Sequence, residues 1–197
     1  MSQDAFDATP DADSYALTSI AADKIDAPDI AYKPPLPKAY NPRIAVIGAG
    51  GIAPAHLDAY RTAGFDVAAI HNRTRSKAEA RRDEFFPNAL ATDDFDRLLE
   101  DKSIEVFDIT PHPEQRVPLI ERALRAGKHV LSQKPFVTDL DLGEQLVHLT
   151  RDCGVKLAVN QNGRWAPHMA YMRGAVRQGV GRVGKCPRVD PKSRPYD

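Results

Sequence analysis

Two periodicities alternate along the chain from Arg43 onward. Short runs of consecutive apolar residues, such as Ile44–Ile47, are separated by longer stretches in which apolar positions recur every three or four residues. An unbroken apolar run marks a strand buried on both faces, and the longer spacing marks one apolar face of a helix. The pattern predicts strands over Arg43–Gly48, Asp66–Asn72, Ala89–Ala91, Glu105–Thr110, His129–Gln133 and Lys156–Asn160. It predicts helices over Ile52–Ala63, Ser76–Phe86, Asp94–Glu100, Glu114–Ala126, Leu140–Asp152 and Pro167–Gln178. Gly64, Gly127 and Gly154 follow three of these helices and supply the left-handed residue that ends each. Ser76, with Glu79 three positions on, reads as a capping box, and Thr138 reads as the cap of the fifth helix. Strands that alternate with helices are joined by crossovers, so a parallel sheet with helices on both faces is expected.

The first strand runs directly into Gly48-Ala49-Gly50-Gly51-Ile52-Ala53, and the first helix starts at about Ile52. In that context each small residue has a purpose. Gly48 permits the tight turn, Gly50 lets backbone approach a pyrophosphate, and Ala53 lets the helix pack on the strand. The free N–H groups of the helix N-terminus face the phosphates with a partial positive charge. The fold class expected is α/β, a Rossmann-type doubly wound parallel sheet that binds NAD or NADP. The second strand ends at His71-Asn72-Arg73. An acidic residue near that place bonds the ribose hydroxyls and favours NAD. Asn72 carries no charge to repel a 2′-phosphate, and Arg73 is able to pair with one or stack on adenine, so the lean is toward NADP. The alternative for Arg73 is an ordinary solvated loop residue.

The flanks read differently. Residues 1–40 show no sustained period and are expected to be a disordered extension, in which Ser14–Ala22 has the make-up of a short helix and Pro34-Pro35-Leu36-Pro37 favours a polyproline-like linker. Residues 41–162 form the expected nucleotide-binding domain, and 163–180 begin a further segment. Gly181–Asp197 is basic, contains proline and has too few apolar residues to offset the cost of ordering.

Composition changes this picture little. Lys plus Arg and Asp plus Glu number 27 each, so net charge points to neither nucleic acid nor a membrane surface as partner. Residues 1–40 hold seven Asp against three Lys, and residues 163–197 hold eight Lys or Arg against two Asp, which reads as two solvated tails. Cys153 and Cys186 have no metal-ligand spacing; no metal site is expected, and they read as free thiols of a reducing compartment. With no apolar run approaching the roughly 20 residues of a membrane span, and no basic-then-apolar start, the expected location is the cytoplasm.

Three further segments narrow the fold to a family. They are Thr110-Pro111 at the end of one strand, Ala126-Gly127-Lys128-His129-Val130 leading into Gln133-Lys134-Pro135, and Asn160-Gln161-Asn162-Gly163-Arg164-Trp165. With the glycine loop they resemble the glucose–fructose oxidoreductase / inositol dehydrogenase (Gfo/Idh/MocA) family, over about residues 42–180. The resemblance implies NAD(P)-dependent oxidation or reduction of a sugar, polyol or related hydroxy or carbonyl compound. It implies that Lys134 is catalytic, reaching the substrate oxygen beside the nicotinamide and stabilising oxyanion character there. Gln133 stands where the family carries Glu; it keeps hydrogen-bonding capacity and loses charge. Cofactor contacts are implied for Gly48, Gly50, Gly51, Ile52, Ala53, Asn72, Arg73, Thr110, Pro111, Gln133, Lys134, Arg164 and Trp165, with domain-junction packing the alternative for Trp165. Arg116 stands where many members carry His and is assigned no role. His168 is expected to be a surface or junction residue.

Family members continue into a C-terminal α/β domain that supplies most of the substrate pocket, an oligomer sheet and commonly an Asp/His pair. Only the start of that domain is expected here, so the chain reads as incomplete: a truncated gene, a frame change near residue 181 or a fragmentary gene model. A homo-oligomer is expected only for a form carrying the second domain. The competing function is a nucleotide-binding module without turnover. Met169, Met172, Ala175 and Val176 are expected to form an apolar helix face that packs between domains.

Overall fold

The sheet is assembled in the strand order β3-β2-β1-β4-β5-β6 with every pairing parallel. The strands are β1 (Arg43–Ile47), β2 (Asp66–His71), β3 (Leu90–Thr92), β4 (Val106–Ile109), β5 (His129–Gln133) and β6 (Leu157–Asn160). The helices are α1 (Ala53–Ala63), α2 (Arg75–Phe85), α3 (Phe95–Glu100), α4 (Pro113–Arg125), α5 (Leu140–Asp152) and α6 (Pro167–Arg177). A computed structural model describes residues 29–33 and 37–178, and the fold lies in the unit that begins at Ala31. The readings for Ser14–Ala22, residues 34–36, Cys186 and Gly181–Asp197 fall outside the described residues.

Each strand of the sheet centre is buried on both faces, which is why its sequence is an unbroken apolar run. Ala45 and Ile47 of β1 join Phe107, Ile109, Ile120, Leu124 and Leu146 on the face covered by α3, α4 and α5. Ile44 and Val46, pointing the other way, join Leu57, Val67, Ile70 and Ala78 under α1 and α2. Gly64, Gly127 and Gly154 have φ of 74°, 75° and 65°, the left-handed conformation expected where a helix stops.

Two caps differ from expectation. The second helix opens at Arg75, with Thr74 as cap residue and no side-chain capping bond. The Thr74 carbonyl is engaged by Asn72 Nδ2 and by the Lys77 N–H, so the first turn closes before Ser76, and Glu79 is drawn into an ion pair with Arg75 at 3.0 Å instead of a capping box. The fifth helix is capped by Asp139, whose carboxylate accepts from the N–H groups of Asp141 and Leu142, in place of Thr138. A carboxylate also gains from the helix dipole. A 3₁₀ turn over Asn162–Trp165, absent from the expected elements, joins β6 to α6.

Candidate functional site

In an open parallel sheet the crevice opens where neighbouring strands are followed by connections running to opposite faces, here between β1 and β4. The loop after β1 is anchored there from three sides. Gly48 donates its N–H to the His71 carbonyl at 2.8 Å. Asn72 Oδ1 accepts from the Ala49 N–H at 3.2 Å. The buried Thr110 hydroxyl lies 3.0 and 3.1 Å from the carbonyls of Ile47 and Gly48. Gly48 has φ 103°, and a Cβ there would stand 2.5 Å from Thr110 Oγ1 and 3.0 Å from Pro111 Cδ. Gly48 thus serves the close packing of two strand ends as well as the turn.

Gly50 and Gly51 are the opposite case, since a Cβ on either would meet nothing within 4 Å. Both face a cleft of about 880 Å³ lined also by Asn72, Arg73, Lys77 and Arg122. Ile52 at the helix entrance makes no side-chain capping bond. Ala53 and Ala55 donate to the carbonyls of Gly50 and Ile52, so the N–H groups left facing the cleft are those of Gly50, Gly51 and Ile52. Pro54 sits in the first turn, where its missing N–H costs no intrahelical bond. None of the cleft's lining residues is acidic. A bare glycine edge, the N–H groups of Gly50, Gly51 and Ile52, and the two cations Arg73 and Lys77 fit a dinucleotide's phosphates, while Arg122 is ion-paired with Asp96.

The structure gathers Gly48, Gly50, Gly51, Ile52, Asn72, Arg73, Thr110 and Pro111 around this cleft. Ala53 lies just behind, fully buried against the strand. Asn72 has both ends of its amide engaged, by Ala49 and Thr74, so it braces the loop. Arg73 reaches Gln115 Oε1 at 3.3 Å across the cleft. Gln133 ends β5 and Lys134 follows it, at the same end of the sheet, but neither lines the cleft. Gln133 is buried, and its Oε1 accepts from the Lys134 N–H at 2.6 Å; Lys134 itself is exposed. Arg164 and Trp165 also lie outside the cleft lining, the guanidinium standing 5.7 Å over the indole, with Trp165 half exposed.

Two residues without an assigned role prove structurally central. Arg116 is 1% exposed and has no carboxylate partner among the described residues. Its Nε donates to the Pro111 carbonyl at 2.9 Å, and its Nη1 to the Pro135 carbonyl at 2.6 Å and toward Ser132 Oγ at 3.3 Å. One buried cation thereby ties the loop after β4 to the loop after β5, and burial pulls its pKa below the usual guanidinium value. Lys128 belongs to one of the family-like segments yet sits before β5, at the opposite end of the strands from the cleft. Its Nζ donates to the carbonyls of Asp101 and Ile104, so it closes a loop rather than serving the cleft.

His71 lies beneath the cleft against Phe95, with Nε2 3.2 Å from the Asp93 carbonyl; burial holds its pKa below the ordinary imidazole value. Among the described residues no three His, Cys, Asp or Glu side chains stand together to hold a metal ion. No helix among them is long and apolar enough to cross a membrane.

Residues 42–161 match the family described as "Oxidoreductase family, NAD-binding Rossmann fold" (Gfo/Idh/MocA). A dTDP-3,4-didehydro-2,6-dideoxy-alpha-D-glucose 3-reductase of Streptomyces violaceoruber is 34% identical over 143 residues, 70% of this chain and 39% of that protein. An inositol 2-dehydrogenase/D-chiro-inositol 3-dehydrogenase of Lactiplantibacillus plantarum is 25% identical over 158 residues, 79% of this chain and 45% of that protein. The crystal structure of KijD10, a 3-ketoreductase from Actinomadura kijaniata in complex with NADP and TDP-benzene, superposes with a TM-score of 0.64 at 29% identity, covering 72% of this chain and 43% of that one. In each case the chain spans less than half the length of the protein it matches. By its matched residues, its strand order and its glycine loop, the chain belongs to the Gfo/Idh/MocA oxidoreductase family with an NAD-binding Rossmann fold.

Proposed function

We propose that the chain binds NAD or NADP across the β1–β4 edge and takes part in hydride transfer with a sugar, polyol or related hydroxy or carbonyl compound. The observation that carries this reading is the open space before Gly50 and Gly51, faced by the loop N–H groups and bordered by Arg73 and Lys77. The N–H groups of Gly50, Gly51 and Ile52 hold the pyrophosphate. Thr110 and Pro111 flank the nicotinamide, which supplies or accepts hydride when bound. Lys134, at the end of β5, donates to the substrate oxygen and stabilises the negative charge that develops there. The relatives that act on a dTDP-sugar and on inositol support the substrate class.

Arg73 and Lys77 on a carboxylate-free cleft wall support NADP over NAD. Dissociation constants for NADPH and NADH on one sample test this. NADPH is expected to bind more tightly, and NADH binding about tenfold more tightly overturns the preference. Polyol-dependent reduction of NADP on the same sample tests turnover. A binding module without turnover is the second reading, favoured by the exposure of Lys134 outside the cleft lining; binding with no turnover supports it.

A further inference from the structure

Behind the glycine loop, on the sheet-facing side of α1, five polar side chains join in one hydrogen-bonded chain where an apolar core is the ordinary solution. His56 and Tyr60 stand one turn apart on α1 and converge on Asp108 of β4, which is fully buried. Asp108 Oδ2 lies 2.6 Å from His56 Nδ1 and accepts the Tyr60 hydroxyl at 2.8 Å. Burial and the neighbouring carboxylate push the Tyr60 pKa far up, so the phenol stays a donor. A carboxylate oxygen only accepts, and His56 Nδ1 therefore carries hydrogen.

The other ring nitrogen faces two amides. Gln133 Nε2 is 3.1 Å from His56 Nε2, and Asn160 Nδ2 is 3.2 Å from it. The orientation of the Gln133 amide is settled by its far end. Its Oε1 accepts the Lys134 N–H at 2.6 Å, which an NH₂ group cannot do. The NH₂ of Gln133 thus points at His56, and His56 Nε2 must accept. Only a neutral imidazole with its hydrogen on Nδ1 satisfies both sides. The chain runs from Asp108 through the ring and the Gln133 amide to the backbone of Lys134, linking α1 to the ends of β4, β5 and β6.

We propose that His56 is a positioning residue: its single, fixed tautomer orients Gln133 and, through it, the backbone from which Lys134 extends. The consequence for hydride transfer rests on the role given to Lys134 above; the positioning itself does not. A protonated ring would aim a second N–H at the Gln133 donor. A ring with its hydrogen on Nε2 would do the same and leave Asp108 without that bond.

The test uses the full chain labelled with nitrogen-15. Long-range nitrogen–proton spectra of the wild type are expected to show His56 protonated on Nδ1 and bare on Nε2, and hydrogen on Nε2 overturns the proposal. Gln133→Glu removes the donor facing Nε2 while still accepting the Lys134 N–H. Its His56 is expected to carry hydrogen on both nitrogens, and an unchanged spectrum overturns the assignment. In His56→Leu the Lys134 amide is expected to exchange with solvent about fivefold faster, the equivalent of one lost hydrogen bond. His56→Gln, with a donor and an acceptor, is expected to restore slow exchange. Amides of β1 are the control. Equal acceleration there and at Lys134 means a merely structural role and overturns the positioning claim. NADPH affinity in the same samples reports on the proposed function alone, so a wild type that fails to bind NADPH removes that reading and leaves the His56 spectra to decide this one.

Discussion

The β1–β4 edge and the stretch from Asn160 to Arg177 carry equally recognisable motifs, yet they are built in opposite ways. At the first, Gly48, Thr110 and Pro111 interlock at van der Waals distance, and Arg116 clamps the neighbouring loops from a fully buried position. At the second, Trp165, Met169, Met172 and Val176 are each about half exposed, and Ala170 is the buried residue of α6. The first region is determined by its own neighbours. The second presents an apolar surface that no packing among the described residues covers. Substitutions of those interlocked residues should therefore cost stability, and substitutions at the second region little.

The sharpest way to break that contrast is Gly48→Ala. The new Cβ meets Thr110 Oγ1 and strains a φ of 103°, so a loss on the order of 4 kcal/mol is expected in urea unfolding. A loss under about 1 kcal/mol would show that the two strand ends can part. Arg116→Met comes next, at about 3 kcal/mol, because the Pro111 and Pro135 carbonyls lose a charged donor. Arg73→Ala with Lys77→Ala sharpens the functional side. NADPH affinity should fall about tenfold with NADH affinity and stability unmoved. Smallest is Met172→Lys on α6, expected within about 0.5 kcal/mol of wild type.

A pH scan probes the same edge from below. Burial lowers the His71 pKa, so folding favours the neutral ring. That contribution is complete above the unfolded value of about 6.5 and is lost as pH falls through it toward the folded value. Tm is expected to decline below about pH 6.5, and His71→Phe should remove that part of the slope.

The strands and most helix boundaries were legible within a residue or so because local signals agree there. Unbroken apolar runs mark strands buried on both faces, and Gly64, Gly127 and Gly154 mark stops. The caps at Thr74 and Asp139 were less legible, since adjacent residues offer competing oxygens and short-range bonds around the first turn choose between them. The cleft residues were legible because a glycine loop is a local pattern with a backbone purpose. What escaped was long-range and polar. His56 and Asp108 are 52 residues apart, and nothing in either neighbourhood says that an α1 histidine faces a β4 carboxylate. Arg116 escaped for the same reason: a guanidinium that bonds only carbonyls and a hydroxyl leaves no charge pattern to read. Lys128 shows the converse, a residue of a family-like segment whose cation closes a loop at the opposite end of the strands from the cleft.

The central claim is that a nicotinamide dinucleotide lies against the bare backbone of Gly50. Titrating NADPH into the wild type and into Gly50→Val, with fluorescence and unfolding read on both, tests it most directly. Space before Gly50 is open, so the variant should fold as stably as the wild type while its saturable binding disappears. A folded wild type with no saturable binding, or a folded variant that binds NADPH equally well, contradicts the account.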